Sequence, residues 1–109
     1  MNNGYHQIEA EVVFSKPDEG GRKTSVRSDY RGQFHYEGED WAYDARHFYP
    51  DFPDDESINL GETTRSFLRF GIDMWNQVHS HRIRIGLKFE IREGWKVIGH
   101  GIVTKTEVT

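Results

Sequence analysis

The sequence predicts an all-β domain, a small barrel or sandwich of about six strands, and three observations carry that prediction. First, Val, Ile, Phe, Tyr, Trp and Thr together supply 36 residues, against 8 from Ala, Leu and Met. The first group is stiff at χ1 or bulky and suits a pleated surface, whereas the second suits helices. Second, 11 glycines punctuate short apolar runs, the spacing expected of turns between strands. Third, 109 residues leave room for one core and no second, so residues 1–109 are read as one domain.

The elements follow from hydrophobic periodicity. Ile8, Ala10, Val12 and Phe14 alternate with Glu9, Glu11, Val13 and Ser15, a period-2 pattern for a strand with one buried face. Lys16-Pro17-Asp18-Glu19-Gly20-Gly21 is a turn by its Pro, Asp and paired glycines. Residues 22–28 are polar and read as a loop. Tyr30 to Tyr36 alternates again, and Trp41 to Phe48 reads as a third strand with aromatics on both faces. Tyr49 to Glu56 is read as a surface loop with no core residue, and Ser57 to Leu60 as a short edge segment. Thr63 to Phe70 is a fourth strand; Gly71 to Ser80 fits either a helical turn or a long hairpin loop. His81 to Ile91 places Ile83, Ile85, Leu87, Phe89 and Ile91 on one face, the clearest amphipathic strand in the chain. After a tight turn at Arg92-Glu93-Gly94, Trp95 to Lys105 returns as the last strand. Its Gly99 and Gly101, two apart, imply that a backbone or an aromatic ring approaches the sheet closely there.

Composition excludes several functions. Without cysteine there are no disulfides, iron–sulfur clusters, thiol nucleophiles or cysteine zinc sites. No apolar run approaches the ~18 residues of a membrane span, and Met1 to Ala10 has neither the basic nor the apolar part of a secretion signal. A cytoplasmic protein with no membrane role is expected. The net charge of −4 argues against a dedicated nucleic-acid binder. The charge is nonetheless uneven: eight acidic residues crowd Glu37 to Glu56, and eight basic ones lie between Thr63 and Lys105.

Three blocks carry a resemblance. Glu11 to Arg22 (EVVFSKPDEGGR), Tyr30 to Tyr36 (YRGQFHY) and Gly86 to Lys105 (GLKFEIREGWKVIGHGIVTK) resemble, in order and spacing, the C-terminal domain of translation elongation factor Tu. Leu60-Gly61-Glu62 sits where that family has Pro-Gly-Asp. The resemblance implies a closed, six-stranded antiparallel β-barrel that serves as a contact module for tRNA, a nucleotide domain and an exchange factor. By resemblance, Arg22 matches the cation that meets tRNA phosphate, Lys23 stands where a His is usual, and Gly94 matches the glycine whose backbone reaches the RNA. A cation and an unobstructed N–H both suit phosphate without reading sequence. Departures erode this footprint: Gly32 replaces a Pro, Glu37 replaces a frequent Arg, and Trp95 replaces the second Gly of the turn. The tract 70–85 is longer than its counterpart. No Gly-x-x-x-x-Gly-Lys-[Ser/Thr] motif occurs, so no nucleotide binding by this chain and no GTP hydrolysis are expected.

No catalytic or metal constellation emerges, and no cofactor is implied. His79 and His81 are read as sharing a strand face, with His35, His47 and His100 elsewhere; lacking fixed ligand spacing, they read as surface or filler residues. Asp51, Asp54, Asp55 and Glu56 lack calcium-loop spacing. Glu37, Asp40 and Asp44 have no sequence context that forms a cleft for acid–base work, and none of Ser25, Ser28, Ser57, Ser66 and Ser80 has a nucleophile elbow. The aromatics are more informative. Trp41, Tyr43, Phe48 and Tyr49, with Phe52, Trp75 and Trp95, exceed what a small barrel needs inside. Some must lie at the surface, where Trp and Tyr anchor interfaces. The leading expectation is a non-enzymatic protein-interaction module that binds a protein partner or itself through these aromatics. The alternative is a module that contacts tRNA backbone through Arg22, Lys23 and Gly94, with Arg92 and Lys96 nearby.

Overall fold

The alternation near the start of the chain becomes a ten-residue strand, β1 (Tyr5–Phe14), in the computed structural model, which describes residues 4–109. Met1 to Asn3, part of the expected 1–109 domain and of the stretch examined for a secretion signal, lie outside the described residues. β1 buries Ile8, Ala10, Val12 and Phe14, the four residues the pattern assigns to the core. Its partners are β4 (Thr64–Gly71) on one side and β6 (Lys96–Lys105) on the other. β5 (Lys88–Glu93) pairs with β6, β2 (Gln33–Tyr36) with β5, and β3 (Arg46–Phe48) with β4. All pairings are antiparallel, and the order across the sheet is β2-β5-β6-β1-β4-β3.

The sheet curls because β6 carries two surplus residues. Ile91 and Arg92 pair with Gly99 and Val97, leaving Ile98 unmatched, and Glu9 and Ala10 pair with Lys105 and Val103, leaving Thr104 unmatched. Such bulges bend a strand and increase its twist. The first bulge explains why Ile98 and Gly99 are both buried although they are adjacent. The paired glycines act as the sequence predicts. A Cβ on Gly101 would lie 2.3 Å from the Phe89 ring, and one on Gly99 would lie 2.9 Å from the Val13 carbonyl.

The closed barrel expected from the resemblance is corrected to a curled sheet with two edges, β2 and β3. The edges approach each other without forming a continuous ladder. Two isolated bridges, Tyr30–His47 and Phe34–Tyr43, span the seam. The N–H groups of Phe34 and Tyr43 donate to each other's carbonyls at 2.8 Å, and His47 N–H donates to the Tyr30 carbonyl at 2.8 Å. The third strand is accordingly three residues long and does not span 41–48. Its three residues are those that pair with β4, opposite Arg69, Leu68 and Phe67.

Two further expectations change and one open alternative is resolved. The run 81–91 is strand only from Lys88. Gly86 sits at φ +91°, a left-handed conformation incompatible with a strand, and Leu87 N–H turns back to the Arg84 carbonyl at 3.0 Å. Ile83 is buried and Ile85 is 71% exposed, so the alternation there does not mark a sheet face. The tract after β4 resolves into a short helix, α1 (Ile72–Gln77), and a 3₁₀ turn at His79–His81. Finally, Tyr49 is fully buried and Ile58 nearly so; Ile58 is held by its N–H donating to the Val26 carbonyl at 2.9 Å. The acidic loop therefore does supply the core.

Candidate macromolecular contact face

The hairpin between β5 and β6 has Glu93 opposite Lys96 and only Gly94-Trp95 between them. Gly94 adopts φ +60° while Trp95 stays at negative φ, the pattern of a turn with Gly at its first central position. The turn is thus one residue later than the sequence predicts. It leaves the Gly94 Cα with open space around it and projects Trp95, 86% exposed, into solvent.

Beside this turn the loop after β2 presents Trp41, 66% exposed. The two indoles flank a shallow groove of about 220 Å³ that Gln33, Asp40, Arg92 and Gly94 also line. Arg92 is buried to 7% exposure with its guanidinium 5.4 Å from the Trp95 ring, and its Nε has no hydrogen-bond partner. The sequence gives no sign of this burial. Arg92 follows the core residue Ile91 in β5 and so lies on the other face of the sheet, opposite Val97.

Of the residues assigned by resemblance to tRNA contact, Arg22 reaches the same turn and is already engaged there, as is the nearby Lys96. Arg22 Nη1 lies 3.2 Å from Glu93 Oε2 and its guanidinium lies 5.2 Å from the Tyr30 ring. The Tyr30 hydroxyl donates to the same Glu93 oxygen. Partial burial, and then this carboxylate, push the Tyr30 phenol well above its usual range. Lys96 Nζ donates to the Gly21 carbonyl at 3.2 Å. Lys23 is exposed and has no side-chain partner among the described residues.

The other five aromatics read as interface residues are not free. Tyr49 is in the core, its burial pushing the phenol upward. Tyr43 and Phe52 pack against the core half-buried. Phe48 lies under Arg46 and Arg69. Trp75 stacks on His6 with centroids 3.7 Å apart. Their partners come from distant strands, which is why local sequence overstates the exposed aromatic surface.

The histidines do not assemble a site. His79 and His81 lie in a 3₁₀ turn with His79 buried and His81 exposed, correcting the shared strand face. His35 Nδ1 meets Glu90 at 2.7 Å, and its Nε2 donates to the Glu39 carbonyl at 2.8 Å. Among the described residues no three carboxylates or imidazoles converge as metal ligands. Among the described residues no helix is long and apolar enough to cross a membrane.

Comparison with known families matches residues 3–107 to the elongation factor Tu C-terminal domain.

Proposed function

Because the chain belongs to the elongation factor Tu C-terminal domain family, we propose that it is a non-catalytic docking domain of translation-factor type. In this reading it works in the cytoplasm and engages a protein partner through the Trp41–Trp95 groove. One observation carries it: two indoles, 66% and 86% exposed, border one groove floored by a buried arginine. Exposed tryptophans beside an arginine are the residue types that dominate interface energetics. The engaged cations favour protein over nucleic acid, since Arg22 is paired with Glu93 and Lys96 donates to a carbonyl.

The test is co-purification from the source cell extract with wild type and Trp41→Ala/Trp95→Ala side by side. A partner retained by the wild type and lost by the double variant is expected; identical recoveries sink the proposal. A second reading, contact with tRNA backbone, draws on the open Gly94 turn and unpaired Lys23. Titration of labelled aminoacyl-tRNA at two salt concentrations separates the two. Binding that weakens steeply with salt and is lost in Lys23→Ala supports the RNA reading.

A further inference from the structure

A second surface lies where β3, β4 and the segment preceding β2 meet, and it breaks a rule of sheet construction. Arg46 and Arg69 stand directly opposite each other on β3 and β4. Facing like charges destabilise a sheet. Both guanidiniums also crowd one ring, with Arg46 at 5.4 Å and Arg69 at 4.1 Å from the Phe48 centroid. Arg46 has a counter-ion, donating from Nε to Asp29 at 2.7 Å. Among the described residues Arg69 donates only to the neutral Gln7 Oε1, also at 2.7 Å, and its guanidinium lies 4.6 Å from the Tyr5 ring centroid as well. Arg31, exposed and without a side-chain partner among the described residues, lines the same cleft of about 460 Å³.

An independent feature marks the place. Asp29 is the one non-glycine residue at positive φ among those described, at +74°. Strained backbone of this kind collects at ligand clamps. Its carboxyl is held below the usual range chiefly by the hydrogen bond from Arg46, with the charges of Arg46, Arg31 and Arg69 adding to it. Three guanidiniums from separate segments therefore converge on one small region. Even after Asp29 and the cleft's own Asp44 are counted, a positive charge remains there, in a chain of net charge −4.

We propose that this cleft binds the phosphoryl group of a small phosphate ester or pyrophosphate, with Arg31 and Arg69 gripping its oxygens and Arg46 flanking them. A carboxylate is satisfied by one guanidinium fork, whereas a tetrahedral dianion offers oxygens to forks arriving from different directions. The chemistry differs from a glycine-rich phosphate loop, because the donors are side chains and not backbone amides.

The experiment is calorimetric titration of the full chain with sodium pyrophosphate at constant ionic strength. Stoichiometric binding is expected, weakened roughly tenfold or more in Arg31→Gln and in Arg69→Gln, as loss of a charged hydrogen bond implies. Arg31 makes no contact the fold needs, so Arg31→Gln remains a folded test even if Arg69→Gln is unstable. Trp41→Ala/Trp95→Ala should bind pyrophosphate like wild type, which keeps this cleft separate from the protein-docking groove. Absence of binding at millimolar pyrophosphate overturns the proposal. So does undiminished affinity in Arg31→Gln, or equal affinity for citrate, which would indicate general attraction of polyanions.

Discussion

The continuous wall of the sheet and the seam that faces it solve the same closure problem with different materials. Along β5, β6, β1 and β4 the backbones form long ladders interrupted only by the two β6 bulges, and the side chains beneath are aliphatic or phenyl, such as Ile8, Val12, Leu68, Ile91 and Val103. Across the seam two bridges replace the ladder, and imidazoles and phenols fill the interior. Fully buried His47 donates from Nε2 to the Gly32 carbonyl at 2.8 Å. His79, equally buried, shares a 2.6 Å hydrogen bond with the Tyr36 hydroxyl and packs edge-on to Tyr43 with centroids 4.8 Å apart. The lesson is that these interior side chains of the wall do not titrate, while the interior of the seam is built from groups that do.

Acid should break the seam first, and this is the largest effect expected. Burial lowers His47 from 6.5 to about 4; burial, then the charge of Arg82, does the same to His79. Both stay neutral in the fold while the unfolded chain takes up protons below pH 6.5. Stability is therefore full above that pH and falls as the pH drops toward 4, by on the order of 3 kcal/mol per histidine. Urea midpoints measured from pH 7 to 4 should fall across that window, and His47→Gln should flatten part of the fall. A midpoint that holds steady from 6.5 to 4 contradicts the assignment. Amide exchange at pH 5 should release the Phe34, Tyr43 and His47 amides before those of β1.

The wall has its own test. Phe89 stacks on Phe34 at 4.4 Å and covers Gly101, so Phe89→Ala should cost about 3–5 kcal/mol in denaturant titration. That loss should be independent of pH between 6.5 and 4, unlike the seam's. Tyr36→Phe strips a buried imidazole of its hydrogen bond and should cost about 1–3 kcal/mol. The smallest effect belongs to the exposed groove. Trp95→Ala should change stability by no more than about 0.5 kcal/mol, since its ring is 86% in solvent. A larger loss would mean that the turn supports the fold as well as presenting a surface.

Much of the wall is legible in the sequence. Alternation in β1, the span of β4 and the close approach at Gly99 and Gly101 all follow from side-chain period and size. The seam was not legible, because its contacts depend on which distant segments meet. Tyr49 looked like loop surface among its acidic neighbours, yet those neighbours point outward while its ring turns in. The run 81–91 had a strand's period, and only Gly86 hinted at the break. At the candidate face the tryptophans and Gly94 were visible in the sequence. Glu93 as the partner of Arg22 was not, since 71 residues separate them. The Arg46–Arg69 pair is a matter of register, which no single sequence displays.

The two unmatched residues of β6 fix more than curvature. Removing Ile98 would leave Val97 opposite Arg92 and Gly99 opposite Ile91 in a regular ladder, so the pairing would survive while the bend, the added twist and a fully buried side chain were lost. The direction in which the last hairpin carries its exposed tip is thus set by one extra residue of β6.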